Sequence, residues 1–214
     1  MNGILDFLQK GGVMMYPLIL SSVLMIALIL ERFITLRKEA PDVENAFEDI
    51  RENYMPGGDP TVAIEIAKKQ GIPGRVFARG LLNAKRDADS IEMAMELEAT
   101  GETPSLEANL AIIKTIVNIA PLLGLLGTIA GMISSFRAAS QVGLSNPTQI
   151  LGGISEALIS TATGIGLAVV GFIFHNYFSN RVRRTIEDIE YFGAELVNYV
   201  TGRVACAGSW KPAS

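Results

Sequence analysis

Apolar positions along this chain are bunched. Three runs carry no charged residue: Gly11 to Leu30 (20 residues), Thr115 to Phe136 (22) and Ala157 to Asn180 (24). A helix needs about 20 apolar residues to cross a hydrocarbon core. Backbone in lipid must satisfy its own hydrogen bonds, so each run predicts a transmembrane helix. The competing reading, three buried helices of a soluble protein, leaves too little other sequence to cover them.

The polar stretch between the first two runs reads as short helices. Ala40-Pro41 opens one over DVENAFEDIREN, and Gly57-Gly58 breaks it. Asp59 is the expected N-cap of the next, with Pro60 at its first position, and Gly71 with Pro73-Gly74 is its expected end. Ser90 is the expected cap of IEMAMELEA, and Thr103, followed by Pro104, of a further helix. No period-two alternation predicts a strand. Asn146, Pro147 and Gln149 form a helix start, with Asn146 capping and Gln149 bonding back to it. From Pro147 the third helix runs through Asn180, about 50 Å at 1.5 Å per residue. Beyond it Ile186, Ile189, Phe192, Leu196 and Val200 form a helical apolar stripe.

The fold class expected is an all-α membrane protein whose long second and third helices extend into a small helical domain. Arg37 and Lys38 follow the first run, and Arg181, Arg183 and Arg184 follow the third. The loop between the second and third holds Arg137, and the N-terminus Lys10. The positive-inside rule then puts the N-terminus outside and the C-terminus inside. The expected divisions are 1–36 (periplasmic N-terminus and first transmembrane helix), 37–111 (helical cytoplasmic domain), 112–136 (second transmembrane helix), 137–152 (short periplasmic loop and helix start), 153–180 (third transmembrane helix) and 181–214 (cytoplasmic helix and tail).

Composition narrows the function. Charged residues make up 19% of the 214, below the roughly 25% of a soluble domain, and mean hydropathy is +0.34. A net charge of −4 gives no footprint for nucleic acid. One cysteine, Cys206, and one histidine, His175, exclude a disulfide framework and a Cys- or multi-His-based metal centre. No cofactor is expected. No cleavable-signal pattern is read at the N-terminus. No nucleophile–base set is present, and the glycines of PLLGLLGTIAG lie inside a membrane run, so neither an enzyme nor a nucleotide loop is expected.

What remains are polar groups in apolar helices, which are functional candidates by default. Glu156 lies about 13 Å along the third helix from Pro147. Physics leaves two readings of it: an acid facing a cavity, or an interfacial acid favoured by a helix N-terminus. Thr128 and Thr161 fall at similar depth on antiparallel neighbours, about 13 Å inside the outer boundary. Their hydroxyls can relay a proton or hold water, but a membrane threonine also bonds its own i−4 carbonyl. Ser160 and Thr163 add polarity to the third helix. Gly124, Gly127, Gly131, Gly164 and Gly166 let helices approach closely, and Pro121 removes a backbone donor from the second helix.

Pro121-Leu-Leu-Gly-Leu-Leu-Gly-Thr128, continuing to Gly131-Met132, resembles the second-helix signature of the ExbB/TolQ/MotA proton-channel family, and of its ExbB and TolQ members above all. Ile154-Ser-Glu156-Ala-Leu with Thr161-Ala and Gly164 resembles their third-helix signature, and Glu31-Arg32-Phe33 is typical after the first span. Flagellar MotA, with four spans, is less similar. The resemblance implies a bacterial inner-membrane homopentamer whose second and third helices line a pore. Two helices of an ExbD/TolR-like dimer would occupy that pore and supply an aspartate this chain lacks there. It implies proton flow past Thr128, Thr161 and Glu156, coupled to an envelope process such as TonB-dependent transport, with a TonB/TolA-like protein as a further partner. Val170 stands where many relatives have proline, and His175-Asn176 where they have Tyr-Asn. The alternatives are a non-conducting membrane scaffold and a sodium-coupled motor of the same family. A small-solute transporter is disfavoured by the lack of an internal repeat.

Overall fold

The computed structural model describes residues 11–142 and 147–203. Seven helices cover most of these residues: α1 (Met15–Glu39), α2 (Val43–Asn53), α3 (Thr61–Ala67), α4 (Gly71–Leu82), α5 (Ala88–Glu107), α6 (Leu110–Val142) and α7 (Pro147–Thr201). No strand occurs among the described residues. The three candidate membrane spans, long and apolar enough to cross a bilayer, lie in α1, α6 and α7. The chain divides into two compact units, Met1–Glu31 with Asn109–Phe178, and Arg32–Ala108 with Ser179–Ser214.

The first unit holds the apolar parts of α1, α6 and α7. One buried cluster in it joins Met15, Leu18, Ala120 and Ala168, with Leu123 and Leu167 against them. Large apolar side chains instead point outward, among them Leu20, Ile26, Leu122, Phe136, Leu158 and Phe172. Small residues at helix contacts and large ones outside are what lipid allows, because tails are as apolar as leucine. The first helix begins at Met15, four residues into its apolar run, because Gly12 takes a left-handed φ of 70°.

The second unit is an ordinary buried core. Phe77, Ile50, Ile91 and Leu196 are buried to 0% exposure. Phe47 packs on Phe77 and on Phe192, with centroids 6.5 and 5.5 Å apart. Of the stripe expected at the end of α7, Ile189, Leu196 and Val200 are buried and Ile186 and Phe192 half-buried. Tyr199 donates its hydroxyl to the Tyr54 carbonyl at 2.9 Å. Arg75 ties three helices together through Glu39 at 3.0 Å and Glu102 at 2.7 Å. Buried Arg32 donates to the Ser105 and Leu106 carbonyls at 3.3 and 3.4 Å, satisfying acceptors exposed at the end of α5.

Several boundaries differ from expectation. Helix α2 is capped by Asp42 rather than opened by Ala40-Pro41. Helix α3 begins at Thr61, with Pro60 one position outside, though Asp59 still accepts the Thr61 N–H at 3.1 Å. Gly71 and Pro73-Gly74 do not end α3 but open α4, where a first-turn proline loses no helical bond. Asp87, not Ser90, caps α5: its carboxylate accepts both the N–H and hydroxyl of Ser90. Thr103 caps nothing. It lies inside α5 bonding the Ala99 carbonyl at 2.8 Å, with Pro104 also inside the helix. The second long helix does not run on into the helical domain, because the chain breaks at Ala108 and Asn109 before α6. Asn109 takes φ 60° and donates its amide to Glu31 at 3.0 Å. The third does run on: α7 is unbroken to Thr201. It starts at Pro147, while the expected bonds between Asn146 and Gln149 lie outside the described residues, as do Lys10 and Cys206.

Candidate functional site

Helices α6 and α7 meet along a row without side chains. A Cβ on Gly124 would lie 3.1 Å from the Thr161 Cα, and one on Gly164 3.1 Å from the Gly124 Cα. A Cβ on Gly131 would crowd the Gly153 carbonyl and Ala157. Positions 124, 127 and 131 recur at helical spacing, which puts all three on the face turned to α7. Gly166, by contrast, faces open space. Pro121 sits within α6 without ending it.

This close approach brings two hydroxyls together. Thr128 Oγ1 and Thr161 Oγ1 are 3.3 Å apart. Thr161 donates across the interface to the Gly124 carbonyl at 2.9 Å. Thr128 donates within its own helix to Leu125 at 2.7 Å, with the Gly124 carbonyl at 3.5 Å. Each hydroxyl owns one proton and both protons are spent on carbonyls. For either threonine to donate to the other, it must release its carbonyl. The pair thus has alternative hydrogen-bond arrangements at nearly fixed heavy-atom positions, a property a proton relay needs.

Glu156 lies five residues before Thr161 and points elsewhere. Its carboxyl packs over Gly12, where any Cβ would overlap it. The positive φ of Gly12 and its missing side chain together make that seat. Nothing in the sequence marks Gly12 as a neighbour of Glu156; the Gly11-Gly12 pair signals only that a helix starts nearby. The other polar residues of α7 separate. Thr163 bonds its own Ile159 carbonyl at 2.8 Å. Ser160 is wholly buried beside Gly127, and its hydroxyl has no partner among the described residues. His175 is half-buried, and Lys114 is exposed. Among the described residues no cluster of His, Cys, Asp and Glu could hold a metal ion.

The profile of the MotA/TolQ/ExbB proton channel family matches residues 68–191, which include the glycine row, both threonines and Glu156. The chain belongs to this family. A putative biopolymer transport protein, ExbB-like 3 of Synechocystis sp., is 31% identical over 79% of this chain and 82% of its own. A putative biopolymer transport protein ExbB homolog of Methanothermobacter thermautotrophicus is 28% identical over 96% of this chain and 74% of its own. The Tol-Pal system protein TolQ of Pseudomonas aeruginosa is 30% identical over 69% and 66%.

Proposed function

We propose that this protein is the proton-channel (stator) subunit of an ExbB/TolQ-like motor in a bacterial inner membrane. In this reading the N-terminus is outside, and α2 to α5 and the end of α7 are cytoplasmic, a placement that the basic residues after the first and third spans support. Five copies surround two helices of an ExbD/TolR-like dimer, with α6 and α7 toward the centre. The partner brings the titrating aspartate, and this chain brings the Thr128–Thr161 pair and Glu156 on the outer side. Proton passage then drives work on an envelope process such as TonB-dependent transport, through a TonB/TolA-like protein.

The observation that carries this reading is the hydroxyl pair. Two threonines 3.3 Å apart with switchable donors, set in a row of glycines, suit proton transfer better than packing. The same geometry favours one alternative. Thr128 Oγ1, Thr161 Oγ1 and the Gly124 carbonyl put three oxygens together, which would also suit a sodium ion in a sodium-coupled motor. Proton flux into liposomes holding the protein with its ExbD/TolR-like partner tests both. Flux that needs the partner, ignores sodium and falls at least tenfold in Thr161→Val supports the proposal. Sodium-dependent flux supports the alternative. Unchanged flux in the variant would leave the threonine a packing residue, and no flux of either ion in a verified complex would favour a scaffold.

A further inference from the structure

A hydroxyl buried in apolar surroundings without a hydrogen bond is costly, and each such group calls for an explanation. Ser160 is one: its exposure is 0%, and its Oγ has no partner. The usual escape for a helical serine or threonine, a bond to the carbonyl four residues back, is taken by Ser21 at 2.8 Å and by Thr163. Ser160 does not take it. Its hydroxyl instead stands over Gly127, where a Cβ would overlap it.

The residue four back is Glu156. Positions i and i+4 stack on one helix face with Cβ atoms about 5–6 Å apart, within reach of a glutamate arm. Both face the entry of α1: Glu156 covers Gly12, and Met14 lies beside the Gly127 that Ser160 faces. A carboxyl and an unpartnered hydroxyl therefore share one wall. The next residue along, Thr161, belongs to the hydroxyl pair.

We propose that Ser160 is the inner hydrogen-bond partner of the Glu156 carboxyl, which has two resting places. The outer one is the seat over Gly12, occupied in this structure. The inner one is the Ser160 hydroxyl, one helical turn along the same face. A hydroxyl accepts from a protonated carboxyl and donates to an ionised one, so it serves both states. Ser160 is thus a positioning residue for Glu156, and this rests on the reading of Glu156 as part of the proton path.

Infrared difference spectra of the complex with its ExbD/TolR-like partner test it. The Glu156 carboxyl band is assigned by its loss in Glu156→Gln. Ser160→Ala removes the hydroxyl and adds no bulk against Gly127. The carboxyl C=O band is expected to move to higher frequency, as it does on losing a donor–acceptor contact; if Glu156 stays ionised, its carboxylate stretch is read in the same way. Proton flux is expected to fall roughly three- to tenfold, the effect of one hydrogen bond. Ser134→Ala, at an exposed position of α6, should change neither. An unmoved Glu156 band in Ser160→Ala overturns the proposal whatever the flux does. Absent flux in the unmodified complex would instead overturn the channel reading, and the band would still decide the role of Ser160.

Discussion

Glycines at the α6–α7 contact are not equivalent, and the difference can be measured. A side chain at Gly164 would run into the Ala120 carbonyl and the backbone of Gly124, so Gly164→Val must push the helices apart. Overpacking of this kind costs about 1–3 kcal/mol or more. Gly166, two residues on, has open space around its Cβ position. Thermal unfolding in detergent should therefore fall clearly for Gly164→Val and stay near the unmodified value for Gly166→Val. Equal losses would mean that helix propensity, not contact, sets the cost. Composition alone named both glycines and could not rank them, because ranking needs the rotation of α7. The threonines show the same limit. Their matching depth follows from counting residues, whereas their meeting at 3.3 Å depends on which faces the glycines turn together.

Membrane helices announce themselves by length, and the short helices do not. The second and third apolar runs fall within α6 and α7, and all but the first four residues of the first fall within α1, because a single segment in lipid satisfies its own backbone only as a helix. In the polar stretch, several residues could cap or break each helix, and tertiary packing chooses among them. The sequence offers Ser90 as the cap; the structure makes Asp87 the acceptor and Ser90 its donor. Asp87→Ala should thus cost about 1 kcal/mol, the usual value for a lost N-cap. Ser90→Ala keeps the backbone donor and should cost less. Thermal or denaturant unfolding of the two variants gives the ranking, and the reverse order would return the cap to Ser90. Pro104 misleads in the same way. It reads as a helix start, yet sits inside α5, where the burial of Met95 and Leu106 on either side holds the helix across it. The actual break, at Asn109, carries no glycine or proline. An asparagine side chain tolerates the left-handed region, and here it is anchored on Glu31.

At the scale of the whole molecule, the two units are built on different physics. The first packs backbone against backbone: Gly131 of α6 approaches the Gly153 carbonyl of α7 too closely to admit even a methyl group. No passage can run between those two helices at that level. The second unit is held by an aromatic core and ion pairs, and it is here that pH acts on stability. Asp188 has its pKa raised above 3.8, first by burial and then by Asp42 and Glu187, with Arg181 and Arg184 opposing. A raised folded-state value means that the folded chain holds this proton more tightly than the unfolded chain. The contribution of Asp188 to stability is therefore most favourable below 3.8 and is lost as pH rises through the raised value. At pH 7 the half-buried carboxylate is a net cost, and Asp188→Asn should raise the unfolding temperature there. The gain should shrink as pH is lowered through the raised value, as the native side chain takes up its proton. An Asn variant that is less stable at pH 7 would show instead that the attraction of Arg181 and Arg184 outweighs burial.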